Sequence, residues 1–148
     1  MNLGSGACEL EGFVNLDRHH GWRFEDGLDY PGGSVDGITI SHALMYVHER
    51  DWPGVFGEFA RVLVPGGVVR VTEDSTDDPA SERFGGYHDY VTLTTPALVR
   101  RHMEAVGLQV RDVAPNETRY RDDSLIQRLH GEPPKVFHIE GVKASKLA

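Results

Sequence analysis

Met1-Asn-Leu-Gly-Ser-Gly6, followed after only six residues by Phe13-Val-Asn-Leu-Asp17, is the stretch that decides the fold. The first part reads as the stub of a strand running straight into a glycine loop, the second as a short strand closing on an acid. A parallel crossover through a helix usually takes a dozen or more residues, so residues 7–12 have room for one helical turn at best. The return is still feasible. Six extended residues reach about 20 Å at ~3.3 Å each, enough to run back along a short strand and step ~4.8 Å sideways. One face of the resulting sheet is expected to be thinly covered.

Downstream, Tyr30-Pro-Gly-Gly-Ser34 is a turn cluster and the β-branched run Val35–Ser41 a strand behind it. Asp51 and Pro53 supply a helix start, the carboxylate as a cap for free amides and the proline in a first turn where it is tolerated. Trp52, Val55, Phe56, Phe59 and Leu63 recur at helical spacing, and Pro65-Gly66-Gly67 is expected to end that helix before a strand at residues 68–72. Thr95-Pro96 caps a second helix that buries Leu98, Val99, His102, Met103 and Val106 and stops at Gly107. Residues 108–113 are strand-like. A short helix from Asp123 or Ser124 to Gly131 and a strand at residues 136–143 follow. Strands and helices in this order make an α/β sheet, whose ligands sit at the carboxyl ends of the strands, here the loops after Leu3, Leu16, Ile40 and Thr72.

A Gly-x-Gly loop after a strand lets backbone approach a ligand closely, and its amides can form an anion-binding nest. The dinucleotide fingerprint needs a third small residue three places on and a helix facing the pyrophosphate. Glu9 occupies that place with no helix to follow, so a nicotinamide dinucleotide is disfavoured. Asp17 closes the second strand, where a carboxylate can accept hydrogen bonds from both hydroxyls of a ribose.

Taken in order and spacing, Asn2-Leu-Gly-Ser-Gly6, Phe13-Val-Asn-Leu-Asp17, Tyr30-Pro-Gly-Gly-Ser-Val-Asp-Gly-Ile38, Ser41-His-Ala-Leu44 and Phe59-Ala-Arg-Val-Leu-Val-Pro-Gly-Gly67 resemble class I S-adenosylmethionine-dependent methyltransferases. They resemble in particular the small-molecule branch known as type 11. The resemblance implies a doubly wound, Rossmann-like, mostly parallel sheet with an antiparallel C-terminal strand, in a single domain spanning residues 1–148. It implies that Leu3, Gly4, Ser5 and Gly6 bracket the methionine part of S-adenosylmethionine and that Leu16 and Asp17 hold ribose and adenine. Glu25 or Asp26, ahead of Leu28, corresponds to the acid that meets the adenine amine, and Ser41 and His42 to the lining of the methyl-transfer mouth. Where family members often carry Leu-Glu-His, this chain has Leu44-Met45-Tyr46. The family's N-terminal helix and longer first strand have no counterpart here, which leaves the acceptor side open or marks a shortened chain.

A sulfonium methyl is already strongly electrophilic, so the protein must align donor and acceptor and, where needed, remove an acceptor proton. His42 and His88 are the candidate bases. His88 sits in the glycine-loosened stretch Gly85-Gly-Tyr-His-Asp-Tyr90, a candidate cover over the acceptor or a plain surface loop. His42 is equally readable as a packed histidine beneath the sheet edge. The acidic run Glu73, Asp74, Asp77, Asp78 reads as a solvated loop rather than a cation site, and no metal is expected.

The net charge of −8 over 148 residues is concentrated early, with 16 acidic against 6 basic residues in positions 1–99, which disfavours nucleic acid as the acceptor. No apolar run has the length of a membrane span and no signal-peptide pattern opens the chain, so a cytoplasmic enzyme acting on a small-molecule acceptor is expected. The single cysteine, Cys8, forms no internal disulfide. An exposed apolar sheet face would favour a homodimer. The alternative reading is a non-catalytic S-adenosylmethionine-binding module, or a methyltransferase subunit that depends on a partner.

Overall fold

A computed structural model describes residues 1–6, 8–77, 90–112 and 136–145 of the chain. Six strands, β1 (Asn2–Leu3), β2 (Asn15–Leu16), β3 (Val35–Ser41), β4 (Leu63–Asp74), β5 (Gln109–Asp112) and β6 (Val136–Val142), form one sheet in the order β2-β1-β3-β4-β6-β5. β1 pairs parallel with both β2 and β3, and β3 parallel with β4. β6 runs antiparallel between β4 and β5. The chain therefore starts in the sheet, steps out to the β2 edge and returns past β1, which places the reversal of strand order, and with it the natural ligand crevice, at the end of β1.

The β1 to β2 link carries no helix among its described residues, and both strands are only two residues long. Backbone bonds offset the short pairing: Asn2 N–H donates to Val14 O and Gly4 N–H to Leu16 O, each at 2.8 Å. Asn15 braces the link from within, its Oδ1 accepting from Asn2 Nδ2 at 2.9 Å and from Leu10 N at 3.0 Å.

Helix α1 (Trp52–Val62) buries Trp52, Val55, Phe56, Phe59 and Val62 on one stripe against Ile38, Ile40, Val69 and Val71 of the sheet. Each such side chain contributes about 1.5–3 kcal/mol of burial. Asp51, expected to cap the helix, makes no side-chain bond to it; a 3-10 turn (Glu49–Asp51) leads in instead and uses up the first turn's freedom. Helix α2 (Pro96–Ala105) is capped as expected, Thr95 Oγ1 accepting from Leu98 N at 3.1 Å, and sets Val99 and Met103 over β5 and β6 on the same sheet face as α1.

Pro65-Gly66-Gly67 does not separate helix from strand. β4 begins directly after α1, with Leu63 already paired to Val35, and the three residues together with Val64 form a bulge before pairing resumes at Gly37 and Val68. Only Asp36 stands between those pairs on β3, against residues 64–67 on β4. The bulge requires glycine twice: Gly66 has φ +80°, and a side chain on Gly67 would meet Val64 O at 2.8 Å.

The second sheet face carries no helix among the described residues. It is polar rather than apolar: Thr39, Arg70, Glu140 and Arg111 stand in register across four strands, with Arg111 Nε 2.6 Å from Glu140 Oε2. The expected apolar surface for self-association is not what these residues present. The reason lies in the alternation of β4, whose Val69 and Val71 take the helix-covered side and leave Arg70 and Thr72 for the other. The expected helix from Asp123 or Ser124 lies outside the described residues.

Candidate functional site

The ends of β1, β2 and β3 converge on a pocket of about 300 Å³. Its floor is the glycine loop. Gly4 and Gly6 both adopt left-handed backbone, φ +67° and +52°, which residues with a side chain enter only at a cost of about 1–2 kcal/mol. Gly4 is tied further by space, since a Cβ there would stand 2.5 Å from Ala43 Cβ and 3.3 Å from the Phe24 ring. The loop amides are all committed within the protein: Gly4 and Ser5 N–H donate to Leu16 O, and Gly6 N–H donates to Asp17 Oδ2 at 3.1 Å. A phosphate-binding nest needs such amides free, so this loop is built for a ligand without phosphate at that point.

Asp17 is the hinge of the site. Besides Gly6, its carboxylate accepts His19 N–H at 3.2 Å and so caps the turn Arg18–His20. Burial pushes its pKa up, but the His19 and Gly6 amides outweigh this and hold it below the usual carboxylate value, so it is ionised at neutral pH. Two amides leave part of the carboxylate's roughly four lone-pair directions for a ligand, and Asp17 lines the pocket.

The far wall is aromatic. Trp22 and Phe24 stand 4.8 Å apart between ring centroids, Trp22 anchored by Nε1–H donating to Gly27 O at 2.8 Å and Phe24 edge-on to buried Phe59 at 6.5 Å. Arg18, Arg23 and Glu25 add charge to the rim, and Ala43, Tyr46 and Val47 close the opposite side. Sequence reasoning did not single out Trp22 or Phe24, and met Tyr46 only in the run that departs from the family's Leu-Glu-His. The available signal was two aromatic residues at alternate positions between Asp17 and Gly27.

Of the residues expected at the site, the structure brings Gly4, Gly6 and Asp17 into one pocket wall, and Glu25 with them. Asp26 turns away, its Oδ2 accepting Arg23 N–H at 2.9 Å to close its own 3-10 turn. Leu28 belongs to the hydrophobic core and its amide donates to Glu58 Oε2 at 2.9 Å. Leu3 is fully buried in that core, Leu16 packs at its border, and Ser5 lies beneath the loop with its hydroxyl buried. Ser41 is exposed at the end of β3, outside the wall.

His42 comes next, also outside the residues that line the pocket, with φ +51°, a left-handed backbone that is rare without glycine; its imidazole lies against the end of β4. Its Nδ1 lies 3.5 Å from Oδ1 of fully buried Asp74, whose Oδ2 is 3.4 Å from the Tyr90 hydroxyl. Burial lowers the imidazole pKa, Asp74 opposes this, and neighbouring His138 adds to it, so His42 is neutral at pH 7. His88, the other candidate base, lies outside the described residues.

The acidic run is the largest departure from expectation. Glu73 and Asp74 are not a solvated loop; both are fully buried at the end of β4. Glu73 Oε1 accepts the amides of Ala43 at 2.9 Å and Leu44 at 2.8 Å. Burial, the dominant cause, pushes its carboxyl pKa up to about 8 against the lowering effect of those two amides. Among the described residues no group of three or more His, Cys, Asp or Glu side chains is arranged to hold a metal ion. No described helix is long and apolar enough to cross a membrane.

Residues 17–71 match a family model described as a methyltransferase domain. Among solved structures, the YcgJ protein of Bacillus subtilis superposes with a TM-score of 0.70 at 18% identity, covering 98% of this chain and 91% of that one. A SAM-dependent methyltransferase of Archaeoglobus fulgidus gives 0.68 at 10% identity over 96% and 84%. An N-methyltransferase of Haemonchus contortus, in complex with phosphomonomethylethanolamine and S-adenosylhomocysteine, gives 0.56 at 12% identity over 83% of this chain and 36% of that one. At these identities the likeness is one of fold. No curated protein sequence matches the chain.

Proposed function

We propose that this chain, whose residues 17–71 match a methyltransferase-domain family model and which has the class I S-adenosylmethionine-dependent methyltransferase fold, transfers the methyl group of S-adenosylmethionine to a small-molecule acceptor, as a single domain over residues 1–148. The observation that carries this is the joint between Gly6 and Asp17: one ionised carboxylate holds the glycine loop closed and faces the pocket with acceptor capacity to spare. Those spare lone pairs suit a ribose diol, the Trp22–Phe24 wall suits a flat base, and the committed loop amides suit a donor without phosphate. Glu25, rather than Asp26, is the wall carboxylate within the turn expected to meet the adenine.

When bound, the cofactor supplies an electrophilic methyl group. The protein's part is to hold the acceptor in line and manage its proton. His42, neutral and steadied by Asp74, is the base for an acceptor that must lose one. The acidic balance of the first 99 residues speaks against a nucleic-acid acceptor. Exposed Leu10, Phe13 and Val14 beside the β2 edge offer an apolar patch for a homodimer, and solution scattering that shows a monomer at working concentration ends that idea.

Calorimetry with S-adenosylmethionine and S-adenosylhomocysteine tests the assignment. Wild type should bind both, and Asp17→Ala should weaken binding by roughly ten- to hundredfold. Equal affinity in the two proteins contradicts the ribose assignment. That no helix among the described residues covers one sheet face favours, as a second reading, a binding module that acts only with a partner. Mass spectrometry of products from labelled cofactor separates transfer from inert binding.

A further inference from the structure

Glu73 is a costly residue to keep. A fully buried carboxyl in an otherwise apolar neighbourhood destabilises a core unless its hydrogen bonds do something that an apolar side chain cannot. Its position in β4 follows the alternation Val69, Val71, Glu73, so it points into the helix-covered core, not toward solvent. Only Oε1 is used, and both of its donors lie in one place: the amides of Ala43 and Leu44. The second oxygen, Oε2, is buried with no hydrogen-bond partner.

Those two amides open the 3-10 turn Leu44–Tyr46, at whose start Ala43 has no side-chain cap of its own. Unsatisfied amides at the head of a turn need an acceptor, and here it comes from a strand 30 residues away in sequence. The turn supplies Ala43 and Tyr46 to the pocket, and Val47 follows it. Ala43 is also the residue that packs against Gly4, the position where a Cβ would stand 2.5 Å from Ala43 Cβ. One carboxyl oxygen therefore sets the distance between the glycine loop and the wall facing it.

We infer that Glu73 is a positioning residue of the cofactor pocket, its Oε1 holding the Ala43 and Leu44 amides so that the turn Leu44–Tyr46 is fixed against the Gly4–Gly6 loop. The inference rests on the S-adenosylmethionine reading of that pocket. A glutamine at this position keeps a carbonyl oxygen for both amides, whereas a methionine fills the same space and accepts nothing. The comparison thus separates hydrogen-bond acceptance from volume.

The test measures S-adenosylhomocysteine affinity by calorimetry and amide hydrogen exchange by NMR on the full chain, for wild type, Glu73→Gln and Glu73→Met, with thermal midpoints recorded alongside. Val71→Ala, a core variant outside the residues that line the pocket, controls for lost stability. The expected result is affinity within about threefold of wild type for Glu73→Gln and about tenfold weaker or worse for Glu73→Met, even where its thermal midpoint matches or exceeds wild type. Exchange at the Ala43 and Leu44 amides should speed up in Glu73→Met alone. Wild-type affinity in Glu73→Met overturns the inference, as does a Glu73→Gln that falls as far as Glu73→Met, or a loss in Val71→Ala equal to that of Glu73→Met. Should wild type itself fail to bind, the cofactor reading falls, and the inference with it. The exchange measurement then still reports whether Glu73 holds the turn.

Discussion

Replacing Gly4 with alanine tests the close approach between the glycine loop and the opposite wall, and the structure provides its own control. At Gly4 the new methyl meets two penalties. The left-handed backbone, φ +67°, costs a residue with a side chain about 1–2 kcal/mol, and a Cβ 2.5 Å from Ala43 Cβ must push one of the two aside. Overpacking of that kind costs about 1–3 kcal/mol more. At Gly6 the backbone is equally left-handed, φ +52°, but no other atom lies within 4 Å of the added methyl, so only the first penalty applies. Gly4→Ala should therefore be less stable than Gly6→Ala by about 1–3 kcal/mol in urea denaturation. Ala43→Gly in the Gly4→Ala background removes the colliding atom and should recover most of that difference, a coupling that a double-mutant cycle reads directly. If the two alanine variants are equally stable, or if Ala43→Gly recovers nothing, the Gly4–Ala43 packing described above is wrong.

Asp17→Asn keeps one oxygen for an amide but loses the charge. It should fall between wild type and Asp17→Ala in S-adenosylhomocysteine affinity, with about 1 kcal/mol of stability lost in the alanine variant from the missing cap, read by calorimetry and urea titration. His42→Asn preserves a residue that tolerates the left-handed backbone, and once an acceptor is identified it should lower kcat by about 10²- to 10⁴-fold while cofactor affinity holds. Because burial lowers the His42 pKa, the acid limb of the wild-type rate should lie below about pH 6.5, where the imidazole gains its proton, and an acid limb centred above pH 7 would contradict the assignment. Glu73 keeps its proton up to about pH 8 in the folded chain against 4.5 for a free glutamate, so its contribution favours folding most below pH 4.5 and drains away as pH rises toward 8. Thermal midpoints of Glu73→Gln relative to wild type should therefore rise steadily across that window, and a pH-independent difference would show that the carboxyl is not buried as described.

Much of the site was legible because it is local. Gly4, Gly6 and Asp17 flank a link too short to hold a helix, so the loop and the acid had to meet, and Gly6 N–H reaches Asp17 Oδ2. The stripe of α1 was equally plain, since its period is a property of the helix alone. What the sequence concealed depends on tertiary partners. Asp26 and Glu25 are neighbours of one type, and only the turn that Asp26 closes decides which of them faces the pocket. Pro65-Gly66-Gly67 is chemically a helix stop, yet β3 pairs with Leu63 before it and makes it a bulge. Composition marked Glu73 and Asp74 as solvated. The alternation of β4 carried the opposite message for Glu73, and the same alternation put Arg70 and Thr72 on the face opposite α1 and α2, where an apolar surface was expected.

A crystal structure of the chain with S-adenosylhomocysteine tests the account at its centre. The account predicts the ribose hydroxyls within about 3.2 Å of the Asp17 carboxylate, the adenine ring against Trp22 and Phe24, and the amino-acid end over Gly4 and Gly6. Density for the ligand anywhere else, or a sugar held away from Asp17, would contradict it.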